Sequence, residues 1–140
     1  MTTPNILSRI ALFAAVSAVM LVVGCGKDET PASPGIQPEI INNVDNFQFQ
    51  VTAMSNYSGT LQYAWSNTGA MAVIDQACAV SAGTATLRLL DDSGAEVYSK
   101  DLSQGGSYTS VAGISGVWSI KIVLSNTTGT LNFRVDKATP

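Results

Sequence analysis

Few side chains here are suited to chemistry. The 140 residues include no His. That removes the Ser-His-Asp constellation, imidazole metal sites and the histidine pH switch together. Two Cys remain, Cys25 and Cys78. Two cannot build a Cys-type zinc site or a disulfide framework. Cys78 lies in Gln76-Ala77-Cys78-Ala79-Val80, a small apolar setting with no base at hand. It reads as a buried, inert thiol, with a disulfide to a second chain as the alternative. Asp91 and Asp92 are adjacent, so a turn points them apart. Glycoside hydrolysis instead needs two carboxyls facing one bond, about 5–10 Å apart. Asp75, Asp91, Asp92 and Asp101 offer the oxygens calcium takes, but lack the spacing of a calcium loop. Ser99 and Ser103 flank Lys100 without any G-x-S-x-G turn around them. Gly105-Gly106 and Gly113–Gly116 lack the Lys-Ser/Thr of a phosphate loop and read as turns. The expectation is a protein with no catalytic residue, no metal and no cofactor.

Aromatic residues are the remaining binding chemistry. Trp65 and Trp118 alternate with other apolar residues and belong in a core, with their N–H groups bonded locally. Tyr57, in Ser55-Asn56-Tyr57-Ser58-Gly59, is the one candidate for an exposed ring that stacks on a sugar. Seven Lys and Arg against ten Asp and Glu give net charge −3. No basic stripe exists to neutralise phosphates, so nucleic acid is not an expected partner.

The N-terminus carries a different kind of chemistry. Residues 1–9 hold Arg9 and no acid, and residues 10–23 are uncharged. An apolar run of that length is short for a bilayer span and suits the apolar region of an export signal. Val22-Val23-Gly24-Cys25 follows at its end. This arrangement resembles the lipobox of bacterial lipoproteins. The resemblance implies cleavage by signal peptidase II between Gly24 and Cys25, removal of residues 1–24, and a diacylglycerol on the Cys25 thiol. More than one acyl chain is needed for firm anchoring, since one binds only marginally. Gly26 stands where Asp favours retention in the inner membrane, so the resemblance implies the outer membrane of a diderm cell, facing the periplasm or the surface. From Cys25 on, six basic and ten acidic side chains leave net −4, so lipid and not charge must hold the protein there.

Residues 25–40 mix charge, Ser and Gly with Pro31, Pro34 and Pro38, and read as a lipidated N-terminus and flexible linker. From 41 to 137 the hydrophobic period becomes two. Phe47, Phe49 and Val51 alternate with polar residues, as do Leu61, Tyr63 and Trp65, then Leu87 and Leu89, then Leu131, Phe133 and Val135. Trp118, Ile120, Ile122 and Leu124 form a strand apolar on much of both faces, hence central. Strands are expected at 45–54, 60–66, 70–75, 84–90, 95–101, 107–112, 117–125 and 129–136. Turn residues sit between them at Asn56–Gly59, Asn67–Gly69, Asp91–Gly94, Gln104–Gly106 and Asn126–Gly129. The fold class is therefore all-β, an antiparallel β-sandwich of about eight strands.

Asp91-Asp92-Ser93-Gly94 between two strands, then Gly116-Val117-Trp118-Ser119-Ile120-Lys121-Ile122, resembles jelly-roll domains of secreted bacterial proteins, most of all the pre-peptidase C-terminal domain group. Trp118 stands where Tyr is usual there. That resemblance implies a jelly-roll-like sandwich and a non-catalytic role. Taken together, the sequence points to a lipid-anchored binding or interaction module of a bacterial envelope. Its partners are membrane lipid through Cys25 and a carbohydrate or protein ligand. A small envelope hydrolase, or its accessory subunit, and a structural envelope component are the alternatives.

Overall fold

The computed structural model describes residues 35–139. The lipobox, Gly24 and Cys25 lie outside them. No helix occurs among the described residues; seven strands carry the chain. They are β1 (Glu39–Asn43), β2 (Asn46–Asn67), β3 (Ala72–Gln76), β4 (Ala79–Leu90), β5 (Glu96–Asp101), β6 (Gly106–Thr109) and β7 (Gly116–Lys137).

Two strands of 22 residues set the architecture. β2 and β7 pair antiparallel from Asn46↔Asp136 to Asn67↔Gly116. Near the middle the ribbon turns a corner. The β2 register shifts between Val51 and Met54, between Met54 and Tyr57, and between Tyr57 and Gly59. Ala53, Asn56 and Asn126 take positive φ at that corner, as does Gly129. β4 bends with them, shifting register between Val80 and Thr84 around Gly83. Bulges are the usual means by which a strand passes from one sheet layer to another.

The result is one sheet doubled into two layers. The first half of β2 and the second half of β7 lie with β1, β3 and β6 in the order β1-β2-β7-β3-β6. The second half of β2 and the first half of β7 lie with β4 and β5. Phe47 and Tyr63 belong to the same strand, and their ring centroids are 5.5 Å apart. A straight strand would separate them by roughly 50 Å. Phe49 meets Tyr63 at 6.0 Å and stacks on Phe133 at 5.2 Å. Trp65 meets Trp118 edge-on at 5.9 Å. The alternating apolar residues fill the space between the layers: Leu87, Leu89, Ile120, Ile122, Leu131 and Val135 are fully buried.

The all-β sandwich expected from alternation is what forms. The strand count is corrected from about eight to seven. The segments read as 45–54 and 60–66 are one strand, β2, and those read as 117–125 and 129–136 are one strand, β7. Asn56, Asn126 and Gly129, expected in chain-reversing turns, take positive φ in bulges within continuous strands. β4 begins at Ala79, ahead of the expected 84, and β6 ends at Thr109, short of 112. β1 begins at Glu39, inside the stretch read as linker, and Ile36 before it is already buried. The Asp91–Gly94 turn does join β4 to β5, with Gly94 at φ 84 donating to Asp91 O at 2.9 Å.

Gly83 tests the corner. A Cβ there would lie 2.2 Å from Asn126 O and 2.3 Å from Ser125 O, at φ +73. Gly94 has similar φ but open space around it. Gly94→Ala is expected to destabilise by about 1 kcal/mol, the conformational cost alone. Gly83→Ala should cost at least ~2 kcal/mol more, because backbone must move. Denaturant midpoints of the two variants measure the difference.

Candidate interaction surface at the loop end of the sandwich

The corner leaves the doubled sheet with two unlike ends. One holds the corner, near Tyr57↔Thr127. The other, some 30 Å along the strands, gathers the ends of β2 and β7 at Asn67↔Gly116 with the β1–β2, β2–β3, β4–β5 and β6–β7 connections. Sandwiches carry recognition on such loop clusters, held by a rigid scaffold.

Asp45 closes the loop end. It occupies the β1–β2 turn at φ 64. Its N–H donates to Ser66 O at 2.8 Å, and its carbonyl accepts from Lys137 N at 3.0 Å. Thr68 N and Oγ1 donate to its carboxylate at 2.7 and 2.8 Å, and Lys137 Nζ pairs with it at 2.7 Å. One residue thus joins both layers where β2 ends and β7 ends. The Lys137 ammonium, helped by the Thr68 N–H, pulls the Asp45 carboxyl down to about 2.

Asp91 and Asp92 brace the β6–β7 connection. Asp91 is buried and has no counter-ion among the described residues; its Oδ1 accepts from Ser93 N, Ser93 Oγ and Ala95 N, and its Oδ2 from Ile114 N at 2.8 Å. The Ser93 hydroxyl first, then the Ile114 amide, hold its carboxyl below the usual range. Asp92 Oδ1 accepts from Val117 N at 2.8 Å. Ile114 O accepts from Trp118 Nε1 at 2.7 Å. At Gly116, φ +144, a Cβ would sit 2.6 Å from Asp92 Cγ, so only Gly lets the connection press onto that carboxylate.

The backbone of 110–117 is therefore bound inward, and its apolar side chains point out. Val111, Ile114 and Val117 are 64%, 57% and 58% exposed, and Val44 on the β1–β2 turn is 63% exposed. Val44 and Val117 share a groove of about 280 Å³ with Asn42, Ala64, Trp65 and Ser66. No charged residue occurs from 102 to 120. Exposed apolar side chains at one loop end, beside the exposed Asp92, are the kind of feature interaction sites use.

The residues singled out from sequence fall in separate places. Tyr57 lies in β2 at the corner, half-buried against Gly59, and not in a loop. Asp75 bonds Ser107 and pairs with Arg134 at 2.8 Å, which lowers its pKa. Asp101 accepts from Ser103 N at 2.7 Å. Among the described residues no three His, Cys, Asp or Glu side chains converge. Lys100 Nζ lies 4.2 Å from the centre of the Tyr108 ring. Cys78 is partly buried, exchanging hydrogen bonds with the Asn132 backbone, and burial pushes its thiol pKa up. Trp65 and Trp118 are core; the Trp118 N–H is bonded as expected, whereas Trp65 Nε1 finds no acceptor. The Val44, Ile114 and Val117 surface was not anticipated. Its only trace in sequence is apolar residues inside a Gly/Ser-rich connection.

No family model matches the chain, and no curated protein matches it.

Two measurements test the braces. Because the folded-state pKa of Asp45 is depressed, its contribution is complete above the unfolded value near 4 and is lost as pH falls toward 2. Stability of the wild type should fall across that window. Lys137→Met should raise the Asp45 pKa toward the ordinary carboxylate range, as read by NMR titration. Asp91→Ala should lower Tm and expose the Ile114 amide to hydrogen exchange before the β7 amides of Ile120 and Ile122.

Proposed function

We propose that this chain is a lipid-anchored, non-catalytic interaction module of a bacterial cell envelope, presenting the loop end of its sandwich to a carbohydrate or protein ligand. The anchor rests on Val22-Val23-Gly24-Cys25 behind an uncharged run. The single observation that carries the binding role is the rigid, outward-facing Val111, Ile114 and Val117 connection. Burying an unpaired carboxylate is costly. Asp91 is accommodated by its donors, one of them the Ile114 amide at the apex of that connection.

The chain's direction supports the same reading. Gly35 lies beside the Tyr57 ring at the corner, and β1 runs from there toward the loop end, from Glu39↔Gln50 to Asn43↔Asn46. The described chain thus starts at the corner, at the end opposite the loop cluster.

Cys25→Ala tests the anchor. The variant should move from the membrane to the soluble fraction and keep its leader by mass spectrometry; persistence in the membrane fraction sinks the lipid reading. A photoreactive residue at Ile114 tests the surface. In living cells it should cross-link to an envelope component, while the same group at exposed Ser99 on β5 should not.

A further inference from the structure

Sheet edges present unpaired backbone groups, and most proteins guard them with charge, Pro, bulges or brevity. Three of the edges here are guarded or short. β1 has five residues, begins with Glu39 and follows Pro38. β6 has four residues. β5 carries Glu96, Lys100 and Asp101, and its Val97 carbonyl is taken by Val111 N at 3.0 Å. The second half of β2 differs. From Gly59 to Asn67 it pairs with β7 in unbroken register, contains no charge and no Pro, and among the described residues has no strand on its other side.

Alternation identifies the free groups. Ala64 O accepts from Asn42 Nδ2 at 2.9 Å, and Ser66 O accepts from Asp45 N at 2.8 Å, both on the side away from β7. Backbone groups of alternate residues face the same side. Thr60 and Gln62 therefore point their N–H and C=O away from β7 too, and both residues are exposed. Among the described residues, the β1–β2 turn covers the edge at Ala64 and Ser66 and nothing pairs with Thr60–Gln62.

We propose that a second copy of this chain pairs with that open edge, antiparallel, across a two-fold axis at Leu61. Thr60 of each copy then faces Gln62 of the other as a hydrogen-bonded pair, and the axis repeats the pair, joining the β2-β7-β4-β5 layers into one sheet. The register avoids the Ala64 and Ser66 carbonyls, which are already engaged. It opposes Thr with Gln and Leu with Leu, so no like charges meet. The occupant is a second copy because of where the chain enters. Gly35 and Gly59 both lie against the Tyr57 ring, four residues from Leu61 along β2. The first described residues of both copies therefore lie beside the axis, and on the anchoring proposed above two copies share one membrane. The contact is small, at the weak end of interface sizes. Confinement of both copies to one membrane raises their effective concentration and populates it.

Disulfide trapping tests the register, because a hydrogen-bonded antiparallel pair places its Cα atoms about 5.5 Å apart, within disulfide reach. The full chain carries Cys78→Ser throughout. One arm is in phosphatidylcholine vesicles. A second arm, in detergent at high protein concentration, also carries Cys25→Ser, so its outcome does not depend on the lipid reading. Under mild oxidation Thr60→Cys with Gln62→Cys should give mainly covalent dimer in both arms, and Ser66→Cys should stay monomeric. Gln62→Lys, which sets ammonium groups beside the axis, should weaken association at least tenfold by sedimentation equilibrium and leave Tm unchanged. A monomeric wild type in both arms overturns the proposal. So does equal trapping of Ser66→Cys, unchanged association of Gln62→Lys, or trapping to a different protein.

Discussion

The structure depends on bending two long strands at one place. β2 and β7 stay paired through the corner, so neither layer exists without the other. The contact of Phe47 with Tyr63 shows the outcome directly, one strand closing on itself around a shared core. Straightening the corner would expose Phe47, Phe49, Tyr63 and Phe133 together. With about 25 cal/mol for each Å² of apolar surface, burial of these rings outweighs the modest conformational cost of Ala53, Asn56 and Asn126 in the left-handed region.

Bending at the middle forces the strand ends together, and this creates the opportunity for a site. Asp45 fastens the two layers at their far end through Ser66, Thr68 and Lys137. Asp91 and Asp92 then fix the adjoining connection through backbone amides. Asp91 and Asp92 here act as acceptors for backbone N–H groups. The same rigidity holds Val111, Ile114 and Val117 in water, where an unbraced connection would fold them inward.

Much of the core was legible because alternation is a local signal. Phe47, Phe49, Leu61, Tyr63, Trp65, Ile120, Leu131 and Phe133 all lie inside as their period requires. The Asp91–Gly94 turn was legible for the same reason, since an Asx turn needs only neighbours. Asn56 and Asn126 were legible as turn residues but not as bulges. A turn and a bulge use the same backbone conformation, and only the partner strand decides between them. The Asp45–Thr68–Lys137 clasp left no local mark, because its members lie 23 and 92 positions apart. The exposed apolar connection was hidden by its Gly and Ser, which masked it as ordinary turn material.

The placement of β7 bears on how the molecule is made. It is the last of the described strands, yet β2, β3 and β4 all pair with it. A polypeptide emerging N-terminus first, from a ribosome or through a membrane channel, can form the β1–β2 and β4–β5 hairpins early. Every other β7-dependent pairing waits for the final segment, and such distant pairings close slowly. Closure of the described sandwich therefore waits until β7 has joined the strands that precede it.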